Sequence, residues 1–429
     1  MTRHSLRWHS ATGVAITGMG LLTPVGRGAD EVFHALCVGK SGLSAPPEGH
    51  PAAESVDVGG FVPDVDPRTV VAGPAAAVVD KTVVLALLTA ADALADAGIE
   101  VGRDVDPDRI GVIIGGIGGM ATLETQVLAR GDRGRTAVSP YLLTGILPNM
   151  AGARIAITHG IRGYSSCVGT ACASGAMAIA DGLRLIRSGD LDVVVCGASE
   201  SPLFPTFADT FGNARALARR WDDPTAASRP FDTRRNGFVL AEGAGMLVLE
   251  RVEHANARGA AGYADVAGWG ATTDAHHLTT PRPDGAGAAE CMRKALVSAG
   301  IGPAEIGYVN AHGTATKLGD VAETAALATV FGADGPPVSS IKALTGHMLG
   351  TSGVVEAAAS ALAVARGVLP ATANLDEVDP ACPGSHIRGT SMETTIEHAL
   401  SNSFGFGGQN LTLVLSGAST EKKKRNGEG

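Results

Sequence analysis

Three residue types stand where they could do chemistry on a thioester. Cys172 lies in Gly169-Thr170-Ala171-Cys172-Ala173-Ser174-Gly175, and Ala173, Ala176, Met177, Ala180, Leu183 and Ile186 then recur at helical spacing. A thiol at or next to the first turn of such a helix is expected to have a depressed pKa, because unpaired N–H groups and the helix dipole favour thiolate. The competing reading is a buried cysteine acting as a small hydrophobe. His312 follows Val309-Asn310-Ala311 and precedes Gly313-Thr314-Ala315-Thr316. Lys342 and His347 lie in Lys342-Ala343-Leu344-Thr345-Gly346-His347-Met348-Leu349-Gly350, again after an apolar run. A helix start near His347 would keep its ring neutral. Each histidine alone is as easily a hydrogen-bonded structural residue. One cysteine with two such histidines could take an acyl group on sulfur and polarise a carbonyl with two imidazole donors. A metal site is not suggested: His276-His277 lacks an i, i+4 arrangement, and there is no HExxH.

The elements that must position these groups alternate along the chain. Val14 to Leu22 reads as a buried strand interrupted by glycines. Val79 to Ala97 reads as a helix ended by Gly98, Ile110 to Ile114 as a strand, and Leu191 to Cys196 as another. Further on come a helix over 286–299, a strand Ile306 to Asn310, a helix over 320–331 and a strand Val338 to Ile341. A helix over 351–366 and a strand Thr412 to Leu415 complete the series. Continuous apolar strands between helices imply sheets covered on both faces. The Pro/Gly/Asp-rich stretch 43–75 reads as a surface excursion. The glycine cluster at 115–119 lacks the third glycine of a dinucleotide loop.

The 429 residues, 45% hydrophobic and 18% charged, suffice for two or three domains or one duplicated unit. A formal charge of −9 argues against nucleic acid or an anionic membrane as partner. The six cysteines contain no CxxC pair, so no zinc site or disulfide framework is implied. The N-terminus lacks a signal-peptide core, and no apolar run approaches ~18 residues. A cytoplasmic protein is expected.

Taken in order, Thr17-Gly18-Met19-Gly20, TACASG, RPFD…GFV…EGAG, NAHGTAT, KALTGHMLG and NSFGFGG resemble the motifs of the β-ketoacyl-acyl carrier protein synthases of the elongating Cys-His-His type. The likeness spans nearly the whole chain. It implies an α/β thiolase fold: two similar halves, 12–262 and 263–418, each with a mainly parallel five-stranded sheet, in an αβαβα arrangement, and a disordered tail at 419–429. It implies decarboxylative condensation of an acyl-enzyme with malonyl-acyl carrier protein. Cys172 would carry the acyl chain. His312 and His347 would bind the malonyl thioester oxygen, with Lys342 paired to Glu356 behind them. The N–H groups of Cys172 and Phe406 would form the oxyanion hole. Phe406 would be the gate, Phe404 would pack near Cys172, and Ile117 would line the acyl pocket. Thr314 and Thr316 would contact phosphopantetheine. No bound cofactor is implied beyond the carrier's own phosphopantetheine. The partners implied are an acyl carrier protein and a second subunit, in a homodimer or in a heterodimer with a chain-length factor.

Two departures bear on this. The Lys/Arg-rich run that elongating enzymes usually carry before the helix at Val79 is replaced by Ala72-Gly73-Pro74-Ala75-Ala76-Ala77. Carrier docking then falls to Arg215, Arg219 and Arg220, with Arg130, Arg133 and Arg135 as further candidates, or to basic surface on a second subunit. The alternative for these arginines is ordinary solvated charge. Thr316-Lys317-Leu318-Gly319-Asp320 leans toward polyketide relatives, so fatty-acid and type II polyketide or polyene elongation both stay open. A thiolase, which would need a second catalytic cysteine near the C-terminus, and a non-catalytic chain-length subunit, which would lack Cys172, are the rival readings.

Overall fold

The computed structural model of the protein describes residues 13–417. The tail expected at 419–429 lies outside the described residues. Ten of the strands are β1 Val14–Thr23, β2 Ile110–Gly115, β3 Ser165–Val168, β4 Val193–Glu200 and β5 Gly243–Arg251, then β6 Ala264–Thr273, β7 Ile306–Asn310, β8 Val338–Ser339, β9 His398–Gly405 and β10 Gln409–Ser416. The helices that matter for the site are α1 Lys81–Ala97, α2 Met120–Arg133, α3 Met150–His159 and α4 Ser174–Arg187, with α5 Pro205–Asn213, α6 Ala286–Ala299, α7 Lys317–Phe331 and α8 Ser352–Arg366.

The fold is mixed α/β. The strands form one sheet in the order β8-β7-β9-β10-β6-β1-β5-β4-β2-β3, with the two-residue strand Gly26–Arg27 added on β1. The resemblance implies two mainly parallel five-stranded sheets, and hydrogen bonding corrects this to one mixed sheet. Ala15 pairs with Asp265 and Ile16 with Ala264, so β1 and β6 join the two runs into one sheet. Within each run the pairings split evenly. β2 runs parallel to β3 and β4, whereas β4–β5 and β5–β1 are antiparallel. Likewise β7 runs parallel to β8 and β9, whereas β9–β10 and β10–β6 are antiparallel.

The apolar clusters show which faces are covered. Val83, Val84, Leu87 and Ala90 of α1 and Ile155 of α3 pack on Ile110, Val112 and Val195. Met292 and Leu296 of α6 and Leu327 of α7 pack on Val309, Leu400 and Val414. Between the two runs lie α4 and α8, in one core with Ile113, Val194, Leu413 and Leu415. Every residue of α8 from Ser352 to Val364 is buried, as expected of a helix apolar or small all round. Small residues let these central helices approach closely. A Cβ on Gly175 would come within 2.5 Å of the Gly350 carbonyl oxygen, so the start of α4 lies against the turn that leads into α8. That contact brings two of the chemical motifs together.

Several element ends shift from the sequence reading for local reasons. Helix α1 begins at Lys81, not Val79, because the Asp80 carboxylate accepts the Thr82 N–H at 2.9 Å and caps it. β1 is one unbroken, fully buried strand in spite of its glycines. β8 keeps only Val338 and Ser339 of the expected Val338 to Ile341. No helix among the described residues is long and apolar enough to cross a membrane.

Candidate active site

Cys172 lies next to the first turn of α4, two residues before it begins. It is the middle residue of a 3₁₀ turn, Ala171–Ala173, wedged between β3 and α4. Ala171 has φ +49°, a left-handed conformation that costs a non-glycine residue energy and marks an imposed bend. Ser174 holds that bend: its hydroxyl accepts the Thr170 N–H at 2.9 Å and donates to the Ala171 carbonyl at 2.7 Å. The bend aims the half-buried Cys172 side chain at a cluster containing Leu203, Phe238, Leu240 and Leu349.

His347 is set from both sides. Its N–H donates to the Val239 carbonyl at 2.7 Å, and its carbonyl accepts the Ala241 N–H at 3.1 Å. Its Nε2 lies 3.1 Å from Cys172 Sγ. Phe238 packs edge-on against the ring, with centroids 5.3 Å apart.

His312 is delivered by the carboxyl end of β7. The loop that carries it is pinned by Glu323 of α7, whose carboxylate accepts the N–H groups of His312 and Gly313, each at 2.8 Å. Asn402 donates to the same carboxylate at 3.2 Å. The rings of His312 and His347 stand 5.5 Å apart, nearly perpendicular. Lys342, buried on all sides, donates to the His312 carbonyl at 2.6 Å, lies 3.4 Å from His312 Nδ1 and pairs with the equally buried Glu356.

Electrostatics follow from this burial. Desolvation, with the nearby Lys342 charge, holds both imidazoles well below the usual histidine range, so both rings are neutral. Burial raises the Glu356 carboxyl, while Lys342 beside it pulls it down. The expectation of a depressed thiol pKa for Cys172 is corrected. Desolvation pushes the thiol up to about 11, and the Lys342 charge and the backbone N–H groups of Phe406 and Cys172 itself only partly offset it. Apolar packing around the sulfur outweighs the dipole of a helix that begins two residues later.

Those two N–H groups come within reach of the sulfur because Gly405 lets two backbones touch. A Cβ there would lie 2.5 Å from the Thr170 carbonyl oxygen and 3.2 Å from the Cys172 nitrogen. Phe404 packs on His312, with ring centroids 5.8 Å apart. Phe406 is 42% exposed and faces Phe211 at 6.2 Å.

The remaining expected residues lie around this core. Thr314 and Thr316 bring their hydroxyls to 3.0 Å of each other at the start of α7. Ile117 is half-buried in the loop after β2, where its N–H bonds the buried Glu200, whose charge also reaches Cys172. Arg215, Arg219 and Arg220 are exposed, as are Arg130, Arg133 and Arg135. Among the described residues, Arg215, Arg219 and Arg220 make no ion pair. Ala72–Val78 forms a turn and a short 3₁₀ helix with no basic side chain.

Three groups were not singled out from the sequence. Glu323 and Ser352 carry no local signal, since a lone carboxylate or hydroxyl in a helix usually faces water. Phe207 and Phe211 did carry one: at i, i+4 on α5 they share a face, and their rings meet edge-on at 5.2 Å, with Phe211 edge-on to Phe238 at the same distance.

Residues 11–255 match the model of the β-ketoacyl synthase N-terminal domain, and residues 263–376 match that of the C-terminal domain. The chain belongs to the β-ketoacyl synthase family. It is 40% identical over 405 residues to 3-oxoacyl-[acyl-carrier-protein] synthase 2 of Synechocystis, covering 94% of this chain and 97% of that one. It superposes on a chain of a type II polyketide ketosynthase solved with its acyl-carrier protein and bound to the hexaketide, with TM-score 0.87, 31% identity, and 95% and 100% of the two chains covered. It also matches the ishigamide ketosynthase/chain length factor, with TM-score 0.88, 30% identity, and 96% and 100% covered. Like its relatives in the β-ketoacyl synthase family, the chain is an acyltransferase.

Proposed function

We propose that this synthase joins an acyl group held on Cys172 to malonyl-acyl carrier protein, releasing CO2 and giving 3-oxoacyl-acyl carrier protein. The observation that carries the reading is the convergence of the Cys172 sulfur and the neutral imidazole of His347 at 3.1 Å, with His312 alongside. In the first half-reaction the sulfur attacks the acyl thioester carbonyl, and the carrier's phosphopantetheine leaves as thiol with the proton from Cys172. In the second, the malonyl C–C bond breaks, its electron pair forms an enolate, and Nε2–H groups of His312 and His347 stabilise the oxygen. The enolate carbon then attacks the Cys172 thioester. The tetrahedral oxyanion is held by the N–H groups of Phe406 and Cys172, and its collapse expels the Cys172 thiolate. Neutral donors suit this step, because an imidazolium could protonate the carbanion.

The same reading assigns Lys342 and Glu356 to holding His312. Phe406 is the gate, Ile117 part of the acyl pocket, and Thr314 and Thr316 are the phosphopantetheine contacts. It takes the two runs of the sheet, with like pairing patterns, as the halves 12–262 and 263–418 of a duplicated thiolase-type fold. The carrier docks on the arginines around Arg215. The enzyme works as a dimer through the face that bears β3. That strand ends the sheet and has an open edge, and exposed Val127, Leu128, Leu143 and Ile157 belong to the adjoining segment.

Polyketide or polyene elongation with a chain-length factor is the second reading. Lys317-Leu318 at the start of α7 and the ketosynthase/chain length factor likeness favour it. Incubation with acyl-carrier protein and then malonyl-carrier protein tests the whole reading. An acyl adduct on Cys172 that is consumed as product forms supports it, and a chain that never acquires the adduct overturns it.

A further inference from the structure

The hydroxyl of Ser352 bears on the proton of His347, and its importance rests on the decarboxylating role proposed for that ring. Ser352 is the first residue of α8 and is buried. Inside their helices, the buried hydroxyls of Ser360 and Thr324 bond back to the carbonyls four residues earlier, at Glu356 and Asp320. Ser352 does something else. Its oxygen accepts the N–H of Met348 at 2.9 Å and lies 3.1 Å from His347 Nδ1.

We propose that Ser352 is a positioning residue: its hydroxyl donates to His347 Nδ1 and thereby keeps the ring proton on Nε2, the nitrogen that faces Cys172. The count of donors decides the direction. The serine oxygen already accepts one N–H, and among the described residues its single hydrogen has one partner, Nδ1. If Nδ1 carried the ring proton, it would donate to that oxygen. The serine hydrogen would then be left without an acceptor in a buried site, which is costly. Lys342 plays the corresponding part for His312, where an ammonium nitrogen lies 3.4 Å from Nδ1. The two histidines therefore present Nε2–H to one space, one ordered by a cation and the other by a hydroxyl. A second cation behind His347 is unnecessary, and the site carries one less buried charge.

The test uses the full chain with histidine ring nitrogens labelled for NMR, comparing wild type, Ser352→Ala and Ser352→Thr. In the wild type and the Thr variant, His347 should show a protonated Nε2 and a bare, hydrogen-bonded Nδ1. In the Ala variant the two neutral tautomers should mix. The rate of CO2 release from malonyl-acyl carrier protein should fall about tenfold, the rate equivalent of one hydrogen bond, with KM little changed, and the Thr variant should recover it. The acid limb of that rate should also move to higher pH in Ser352→Ala, because Nδ1 loses a donor that opposes its protonation. The titratable and charged groups facing His347 are Cys172, His312 and Lys342, the last paired with Glu356, and all are unchanged in these variants. A folded Ser352→Ala enzyme with an unmixed Nε2–H tautomer and an unmoved acid limb overturns the proposal. Should the Ala variant fail to fold, Ser352→Cys, a weaker donor of similar shape, carries the same comparison. His347→Ala with undiminished CO2 release would instead overturn the role of His347 itself, and the NMR result for Ser352 would stand apart from it.

Discussion

His347 Nε2 lies 3.1 Å from Cys172 Sγ although 175 positions separate the two residues. The contact exists because the starts of α4 and α8 press together at Gly175 and Gly350. It places a neutral imidazole beside a thiol whose pKa burial pushes up to about 11, so the resting site holds a thiol, not an ion pair.

Replacing Cys172 by Ala should abolish condensation and remove the acyl adduct that mass spectrometry finds on the wild-type chain. Full condensation by that variant would leave the sulfur without a role.

On the proposed mechanism, replacing His347 by Ala removes one of two donors to the enolate oxygen. Loss of one such donor typically costs ~10²–10³ in rate, so CO2 release from malonyl-carrier protein should fall by about that factor. Acyl transfer to Cys172 should suffer less, because the Phe406 and Cys172 N–H groups remain. Equal loss in both half-reactions would contradict this division of labour.

The thiol of Cys172 should titrate late. With its pKa raised to about 11 by burial, the thiolate fraction grows about tenfold per pH unit across the range below that value. The rate of iodoacetamide labelling at Cys172, read by peptide mass spectrometry, should still be climbing at pH 9. A plateau reached by pH 7 would show a depressed pKa instead.

Lys342→Ala should destabilise the fold, because it strands the Glu356 carboxyl, 1% exposed, without its partner. Removing one member of a buried pair costs about 3–5 kcal/mol, read as a lower denaturant midpoint. Removing Glu356 as well should cost less than the sum of the single losses.

Arg215→Glu should weaken binding of an acidic carrier protein and flatten its dependence on salt, since exposed charges act through a screened field. Unchanged affinity and salt slope would move the docking surface elsewhere.

Much of this was readable in one dimension. The helix over 286–299 and the strand Ile306 to Asn310 appear where the apolar periodicity put them. The motifs around Cys172, His312 and His347 pointed to the acyl transfer that the family match bears out, because such chemistry needs particular side chains whatever surrounds them. Other features were not readable. The β1–β6 seam depends on which strand edges meet, and no local pattern records that. Glu323 and Ser352 bond groups just four to eleven positions before them, through turns whose shape no periodicity records. The thiol pKa turned on how many apolar side chains crowd the sulfur, among them Phe238 and Leu240.

By itself, then, the sequence determined the kinds of atom that react and the order of helices and strands that carry them, because residue type and periodicity are local properties. Only the tertiary structure decided the distances between those atoms, the neutrality of the two imidazoles and the charge state of the sulfur. Each of these depends on dielectric and hydrogen-bond partners that arrive from distant parts of the chain.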